Sequence, residues 1–186
     1  MSISALLASH ARDLSDPSPE QIALLASHWE LLLRWNRKIN LTRVTDPSEA
    51  VLRHYGESIF LGNHVAEGKI ADVGSGAGFP GIPIAVMRPA CSLDLVESTL
   101  KKAAFLQEAS RNLPNARVLA KRAQDVAPHY DWVISRAVDP DEILALHLAP
   151  QAALLVSRSD GERLIANGSI YPLPWDSGRV VLLRST

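Results

Sequence analysis

The residues best placed to do chemistry are acids on either side of a glycine-rich turn, followed by two polar steps further along the chain. In "DVGSGAGFPG", Asp72 to Gly81, glycines stand at 74, 76 and 78, with a fourth at 81. Glycine tolerates positive φ and close backbone approach, so a strand-to-helix turn of this composition can floor a groove for a flat or charged ligand. The spacing narrows the ligand. The dinucleotide fingerprint G-x-G-x-x-G needs its third glycine where Phe79 stands, and no Gly-Lys-Ser/Thr follows to make a phosphate-binding P-loop. Taken alone, the glycines also fit a tight turn that holds nothing.

Three further positions favour a ligand. Asp72 ends an apolar run, where a strand-end carboxylate is expected to face the crevice. Glu97 ends "SLDLVE", about 20 residues past the loop, where an acidic side chain can accept hydrogen bonds from both hydroxyls of a ribose. "KRAQD", Lys121 to Asp125, follows a third apolar run and offers a side-chain amide and a backbone amide to an adenine edge. With Gly74, Ser75 and Gly76 of the loop, these describe a nucleoside site without a pyrophosphate cradle, and S-adenosylmethionine fits that description. Its sulfonium is cationic, which suits Asp72 better than a phosphate would.

These side chains need a scaffold that delivers them to one edge. From Lys69 onward short apolar runs alternate with helix-like segments, the texture of a parallel sheet with crossover helices. Strands are predicted at about 69–73, 92–96, 116–120, 131–135, 152–157 and 179–184, with helices at about 79–88, 99–111 and 140–147. Right-handed crossovers put the ligand crevice at the carboxyl ends of the strands, where strand order reverses. Ahead of the sheet, helices are expected over about 4–12, from Ser18-Pro19 to about Trp35, and over 47–63 behind Asp46-Pro47. The expected fold is α/β and Rossmann-like, a mostly parallel sheet with an N-terminal helical cap. It forms a single domain, 1–186, with a leader over 1–66 and a cofactor-binding core over 67–186.

The totals bound the function. At 186 residues, 47% apolar and 21% charged, the chain can bury one core. No apolar run approaches the roughly 20 residues of a membrane-spanning helix, and "MSISALLASHARDLSDPS" lacks the basic start of a secretory signal. A cytoplasmic monomer with no membrane partner is expected. The one cysteine, Cys91, excludes a disulfide framework and a Cys-based zinc site and reads as a buried apolar residue, so no metal is expected. A net charge of −1 argues against wholesale nucleic-acid coating, so any RNA contact must come from local patches.

The motifs also carry a resemblance. "INLTRV", His54-x-x-Glu57-Ser58, "DVGSGAGFPGIPIAVMRP", "LVESTLKKAAFL", "KRAQD" and "WVISRAV" occur in that order. The chain resembles, over residues 20–157, the bacterial small-subunit ribosomal RNA methyltransferases that form 7-methylguanosine, the family also called glucose-inhibited division protein B. The resemblance implies an S-adenosylmethionine-dependent methyltransferase acting on N7 of a guanine in 16S ribosomal RNA, free or within the 30S subunit. It implies cofactor contacts at Gly74, Phe79, Glu97, Ser98, Ala123, Gln124 and Arg136. The family usually has Glu where Gln124 stands and Asp where Glu57 stands. After the fifth strand most relatives continue with a helix and a Lys-Gly step, whereas "VSRSDGERLIANG" is short here, with Arg158 as the nearby cation. The alternative is a cofactor-binding module with another acceptor or no turnover, which binds RNA or a protein partner.

Guanine N7 has an in-plane lone pair and no proton to lose, so positioning and removal of water can supply most of the acceleration without a general base. The sequence agrees by omission: neither Asn-Pro-Pro-Tyr nor a Pro-Cys nucleophile follows the fourth strand, and "SRA" stands there instead. Ser135 and Arg136 are therefore expected to shape the catalytic floor. Two basic clusters are expected to bracket the crevice for phosphate contact, Arg34, Arg37, Lys38, Arg43 and Arg53 in the leader, and Lys101, Lys102, Arg111, Arg117, Lys121 and Arg122 beside the cofactor. Asn40 and His54 read as turn or cap residues or as substrate contacts.

Overall fold

A computed structural model describes residues 2–186. Five strands run parallel: β1 (Lys69–Val73), β2 (Ser92–Val96), β3 (Ala116–Leu119), β4 (Trp132–Arg136) and β5 (Gln151–Ser157). Two more, β6 (Gly168–Leu173) and β7 (Asp176–Ser185), form a hairpin whose second strand lies antiparallel to β5. The order is β3-β2-β1-β4-β5-β7-β6, so strand order reverses between β1 and β4. A ligand crevice belongs at that reversal, beyond the carboxyl ends of the two strands.

The leader contributes α1 (Ile3–Arg12), α2 (Pro19–Asn36), α3 (Pro47–Ala50) and α4 (Glu57–Gly62), and the crossovers contribute α5 (Gly81–Met87), α6 (Leu100–Ala109), α7 (Pro140–Ala145) and α8 (Arg158–Leu164). Ser18 opens α2 with a complete capping box to Gln21, and Pro19 fits the first turn because its missing N–H would have no helical partner there. One face of the sheet, with Ile70, Leu93 and Leu95, packs with Ile82, Phe105 and the leader's Leu25, Trp29 and Tyr55. The other, with Ala71, Val73 and Val133, packs with Ile143 and Leu164. Trp35 Nε1 donates to Glu108 Oε2 (2.9 Å), which ties the end of α2 to α6.

Three expectations are corrected. The helix expected over 47–63 is broken by a π-helical turn at Val51–Gly56. Residues 54–59 are all buried, so this segment has no solvent stripe, and Gly56 is packed so tightly on His10 of α1 that an added Cβ would lie 2.6 Å from its Nε2. The tail is not bare: "VSRSDGERLIANG" contains α8, begun by Ser157 Oγ accepting from Asp160 N (3.1 Å). The strand expected over 179–184 is the end of a hairpin whose first arm, β6, lay hidden because it is an edge strand, mostly exposed and without an alternating apolar pattern.

Asp72 is a fourth correction. It was expected to face the crevice, yet it is fully buried. The period-2 alternation of β1 puts it on the same face as Ile70, under α5, where its Oδ2 accepts from Gly81 N (3.0 Å). A Cβ at residue 81 would collide with that carboxylate and with Leu95, so the fourth glycine of the motif serves this close approach.

Candidate active site

At the strand-order reversal lies a cavity of about 670 Å³, within the size range of small-molecule sites. Its lining includes Gly74, Glu97, Ser98, Ala123 and Gln124, together with Lys121, Arg122, Val138 and Glu142. Five of the residues expected to bind cofactor therefore come together from three successive strand ends. Gly74, Gly76 and Gly78 all have positive φ (75°, 53° and 86°), which shapes the loop between β1 and α5. Two of its amides are spent on β2: Gly74 N and Ser75 N both donate to the Val96 carbonyl, at 3.0 and 3.1 Å.

Glu97 is anchored from two sides. Its Oε2 accepts from Gly76 N (3.1 Å) and its Oε1 from Thr99 N (2.7 Å). Each carboxylate oxygen keeps a second lone pair, so the pair remains able to accept from two vicinal hydroxyls. Ala137 has φ 63°, a left-handed conformation uncommon for a residue with a side chain, directly between Arg136 and the cavity-lining Val138.

The other expected site residues lie beside or beneath the cavity. Ser75 Oγ donates to the Asp72 carbonyl (2.9 Å), and Ser135 Oγ donates to the Val73 carbonyl (2.8 Å), so both hydroxyls brace the loop and its strand. Burial pushes the Asp72 carboxyl up to about 7, against the nearby Ser75 hydroxyl and the hydrogen bond from Gly81 N, which favour its charge, and its Oδ1 has no partner among the described residues. Phe79 is buried and stacked on His54, with centroids 4.5 Å apart and planes at 28°. The Arg136 guanidinium sits over the Phe79 ring, 5.1 Å from its centroid.

Arg136 is held by the leader. Its Nη1 donates to the Arg53 carbonyl (2.6 Å), His54 Nδ1 (3.1 Å) and Glu57 Oε2 (3.3 Å). The contact with His54 requires an accepting Nδ1, so the proton is on Nε2, which donates to Thr42 Oγ1 at 2.8 Å. Burial, then the nearby Arg136 charge, lower this imidazole to about 3. Glu57 and Thr42 were not picked out from the sequence as site residues, although Glu57 stands inside the His-x-x-Glu-Ser element. Asn40 is exposed, and it is Asn36 that orders this loop, its Oδ1 accepting from Leu41 N and Thr42 N.

Two basic residues leave their expected positions. Arg117 enters β3 opposite Asp94 and makes a two-pronged contact with it (2.9 and 2.6 Å), at the amino ends of the strands and away from the crevice. Arg158 turns to the β6–β7 hairpin, its Nε donating to the Ser177 carbonyl (2.7 Å).

His28 of α2 joins leader and loop. Its Nε2 contacts the Ala77 carbonyl (3.1 Å) and its Nδ1 the Tyr55 hydroxyl (2.9 Å), so the neutral ring donates from Nε2 and accepts at Nδ1. Burial lowers it from 6.5 to about 4. The unfolded chain therefore takes up this proton first as pH falls, so the stability His28 contributes is complete above about 6.5 and is lost as pH drops toward 4. Denaturant unfolding at pH 7 and pH 5 checks this. His28→Asn should narrow the stability difference between the two by about 2 kcal/mol, at about 1.4 kcal/mol per pH unit below 6.5. His54, Glu57 and Asp72 titrate in both proteins and cancel. An unchanged difference would show that this ring does not resist protonation.

Residues 21–160 match the family described as rRNA small subunit methyltransferase G. The chain is 43% identical over 154 residues to the ribosomal RNA small subunit methyltransferase G of Xanthomonas euvesicatoria pv. vesicatoria (strain 85-10), covering 81% of this chain and 70% of that protein. It is 42% identical over 154 residues to the namesake of Xanthomonas campestris pv. campestris (strain B100), with the same coverage. Among solved structures, magnesium protoporphyrin IX methyltransferase from Synechocystis PCC 6803 with bound SAM shares the fold, with a TM-score of 0.57 at 16% identity over 82% of this chain and 90% of that one. With a family match across the whole cavity wall and relatives this similar, the chain belongs to the rRNA small subunit methyltransferase G family.

Proposed function

We propose that the protein transfers the methyl group of S-adenosylmethionine to N7 of a guanine in 16S ribosomal RNA, acting as a monomer in the cytoplasm where 30S subunits are found. The observation that carries this reading is the pairing of an anchored Glu97 carboxylate with a glycine cradle and Gln124 in one cavity, beside a restrained arginine. The residues fit the cofactor. Glu97 would hold the ribose hydroxyls, and Ala123 with Gln124 would meet the adenine edge. The Gly74 and Gly76 backbone would lie against the cofactor; an added Cβ at 76 finds only the Gly74 carbonyl oxygen nearby, at 3.6 Å.

When bound, the cofactor supplies a methyl group on a cationic sulfur that an in-line lone pair can take. The protein's part is orientation and exclusion of water. His54, His28, Ser75 and Ser135 are all spent on internal hydrogen bonds, and both imidazoles are held neutral with low proton affinity. None is poised as a base, which suits an acceptor atom with no proton to lose. Arg136 lies outside the cavity lining, on the side of Phe79 and the leader. Its Nε and Nη2 make no hydrogen bond among the described residues, so they can donate to the guanine O6 edge and leave N7 open.

Labelled cofactor incubated with 30S particles from a strain lacking the modification tests the reading. One methyl per particle is expected, with strand scission at a single guanine after the reduction and aniline treatment that cleaves at 7-methylguanosine. Incorporation without that scission would assign another acceptor atom. Cofactor binding without any incorporation would leave a binding module.

A further inference from the structure

Arg179 lies on β7, outside residues 21–160 that match the family, and 122 positions from its partner in the leader. That partner is Glu57, whose side chain is fully buried. Arg179 Nη1 meets both carboxylate oxygens at 3.0 Å, whereas Arg136 Nη1 reaches only Oε2, at 3.3 Å. A buried carboxylate is stable only when its charge is met. Here the closer, two-oxygen contact comes from Arg179, so this residue fixes where Glu57 points. Glu57 in turn is one of three acceptors that hold the Nη1 corner of Arg136, whose Nε and Nη2 make no hydrogen bond among the described residues.

We propose that Arg179 is a positioning residue for methyl transfer: it orients Glu57, and through it the Arg136 guanidinium over Phe79. The inference rests on the acceptor-side role given to Arg136 above. The last strand of the sheet thereby completes the acceptor side of the site. β7 can do this because its register places Arg179 opposite Ser157, at the carboxyl end of β5 and so at the crevice edge.

The chain gives this contact a pH signature. The charged and titratable groups around Glu57 are Arg53 and His54 on its own segment, Arg136 from β4, Arg179 from β7, and His10 of α1, which packs on Gly56. Burial pushes the Glu57 carboxyl up, and Arg179 and then Arg136 oppose that push. Without Arg179, Glu57 should take up a proton at higher pH and release Arg136.

Steady-state methyl transfer by the full-length protein, measured from pH 6 to 9 alongside cofactor affinity, tests the claim. Arg179→Gln should lower kcat by about 100-fold at pH 6.5, recover part of it toward pH 9, and leave cofactor Kd within about threefold. Arg179→Lys keeps the charge and should stay within about fivefold of the native kcat. A kcat for Arg179→Gln near the native value, with an unmoved pH profile, overturns the proposal. So does an Arg179→Lys protein that binds cofactor normally yet shows the full 100-fold loss. If Arg179→Gln does not fold, the Lys protein decides. NMR of the arginine side-chain N–H groups, with Arg136 assigned through Arg136→Lys, reads the restraint without any RNA. A restrained native Arg136 signal that broadens in Arg179→Gln keeps the positioning claim even if no RNA is methylated, in which case the proposed function alone fails.

Discussion

Gly76→Val should abolish detectable cofactor binding, raising Kd by more than about 100-fold, while the protein stays folded. Gly76 has φ 53°, a left-handed backbone that costs a residue with a Cβ about 1–2 kcal/mol and a β-branched one more. The Cβ itself meets only the Gly74 carbonyl oxygen, so valine collides with little in the protein and its branches project into open space beside the cradle. The same residue donates its N–H to Glu97 Oε2, and a loop that relaxes away from positive φ pulls that donor off the carboxylate. Two contributions to ribose binding are then lost together. Because Asp72, Phe79 and Ala77 stay packed beneath the loop, the melting temperature should fall by only a few degrees. Titration calorimetry with S-adenosylmethionine beside a thermal melt separates the two effects. Native-like affinity would move the cofactor away from this loop, and global unfolding would mean that the glycine serves the fold.

Arg136→Lys should lower kcat by about 100-fold at saturating cofactor and change cofactor Kd by less than about threefold. A lysine ammonium can replace the Nη1 corner that contacts the Arg53 carbonyl, His54 and Glu57. It cannot also supply the two remaining nitrogens, because it is a single charged point where arginine is a planar fork. The split between kcat and Kd matters because the family resemblance implies a cofactor contact at Arg136, while the structure sets this residue outside the cavity lining. A large loss of cofactor affinity with turnover intact at saturation would return Arg136 to the cofactor and undo the acceptor-side role.

Much of the scaffold was legible because its causes are local. Ser18-Pro19 capped a helix, Asp46-Pro47 opened the next, and the first five short apolar runs from Lys69 onward became parallel strands at nearly the expected residues, the sixth an antiparallel one. Spacing alone brought Gly74, Glu97, Ser98, Ala123 and Gln124 to one cavity, since each follows a strand and parallel strands deliver their carboxyl ends to one edge. β6 was not legible. An exposed edge strand has one hydrogen-bonded neighbour and no buried face, so no alternation records it.

The amino-acid order by itself determined the fold class, the glycine cradle and the kind of ligand, because period-2 burial, capping and turn chemistry act over a few residues. The tertiary structure alone decided which side chains line the cavity. It turned Asp72 under α5, spent Ser75 and Ser135 on backbone carbonyls, sent Arg117 to the far end of the sheet, and joined Glu57 to Arg179. The physical reason is charge and hydrogen-bond satisfaction under burial. A carboxylate that loses water must find donors wherever the packed chain supplies them, and for Glu57 they came from strands 79 and 122 positions away.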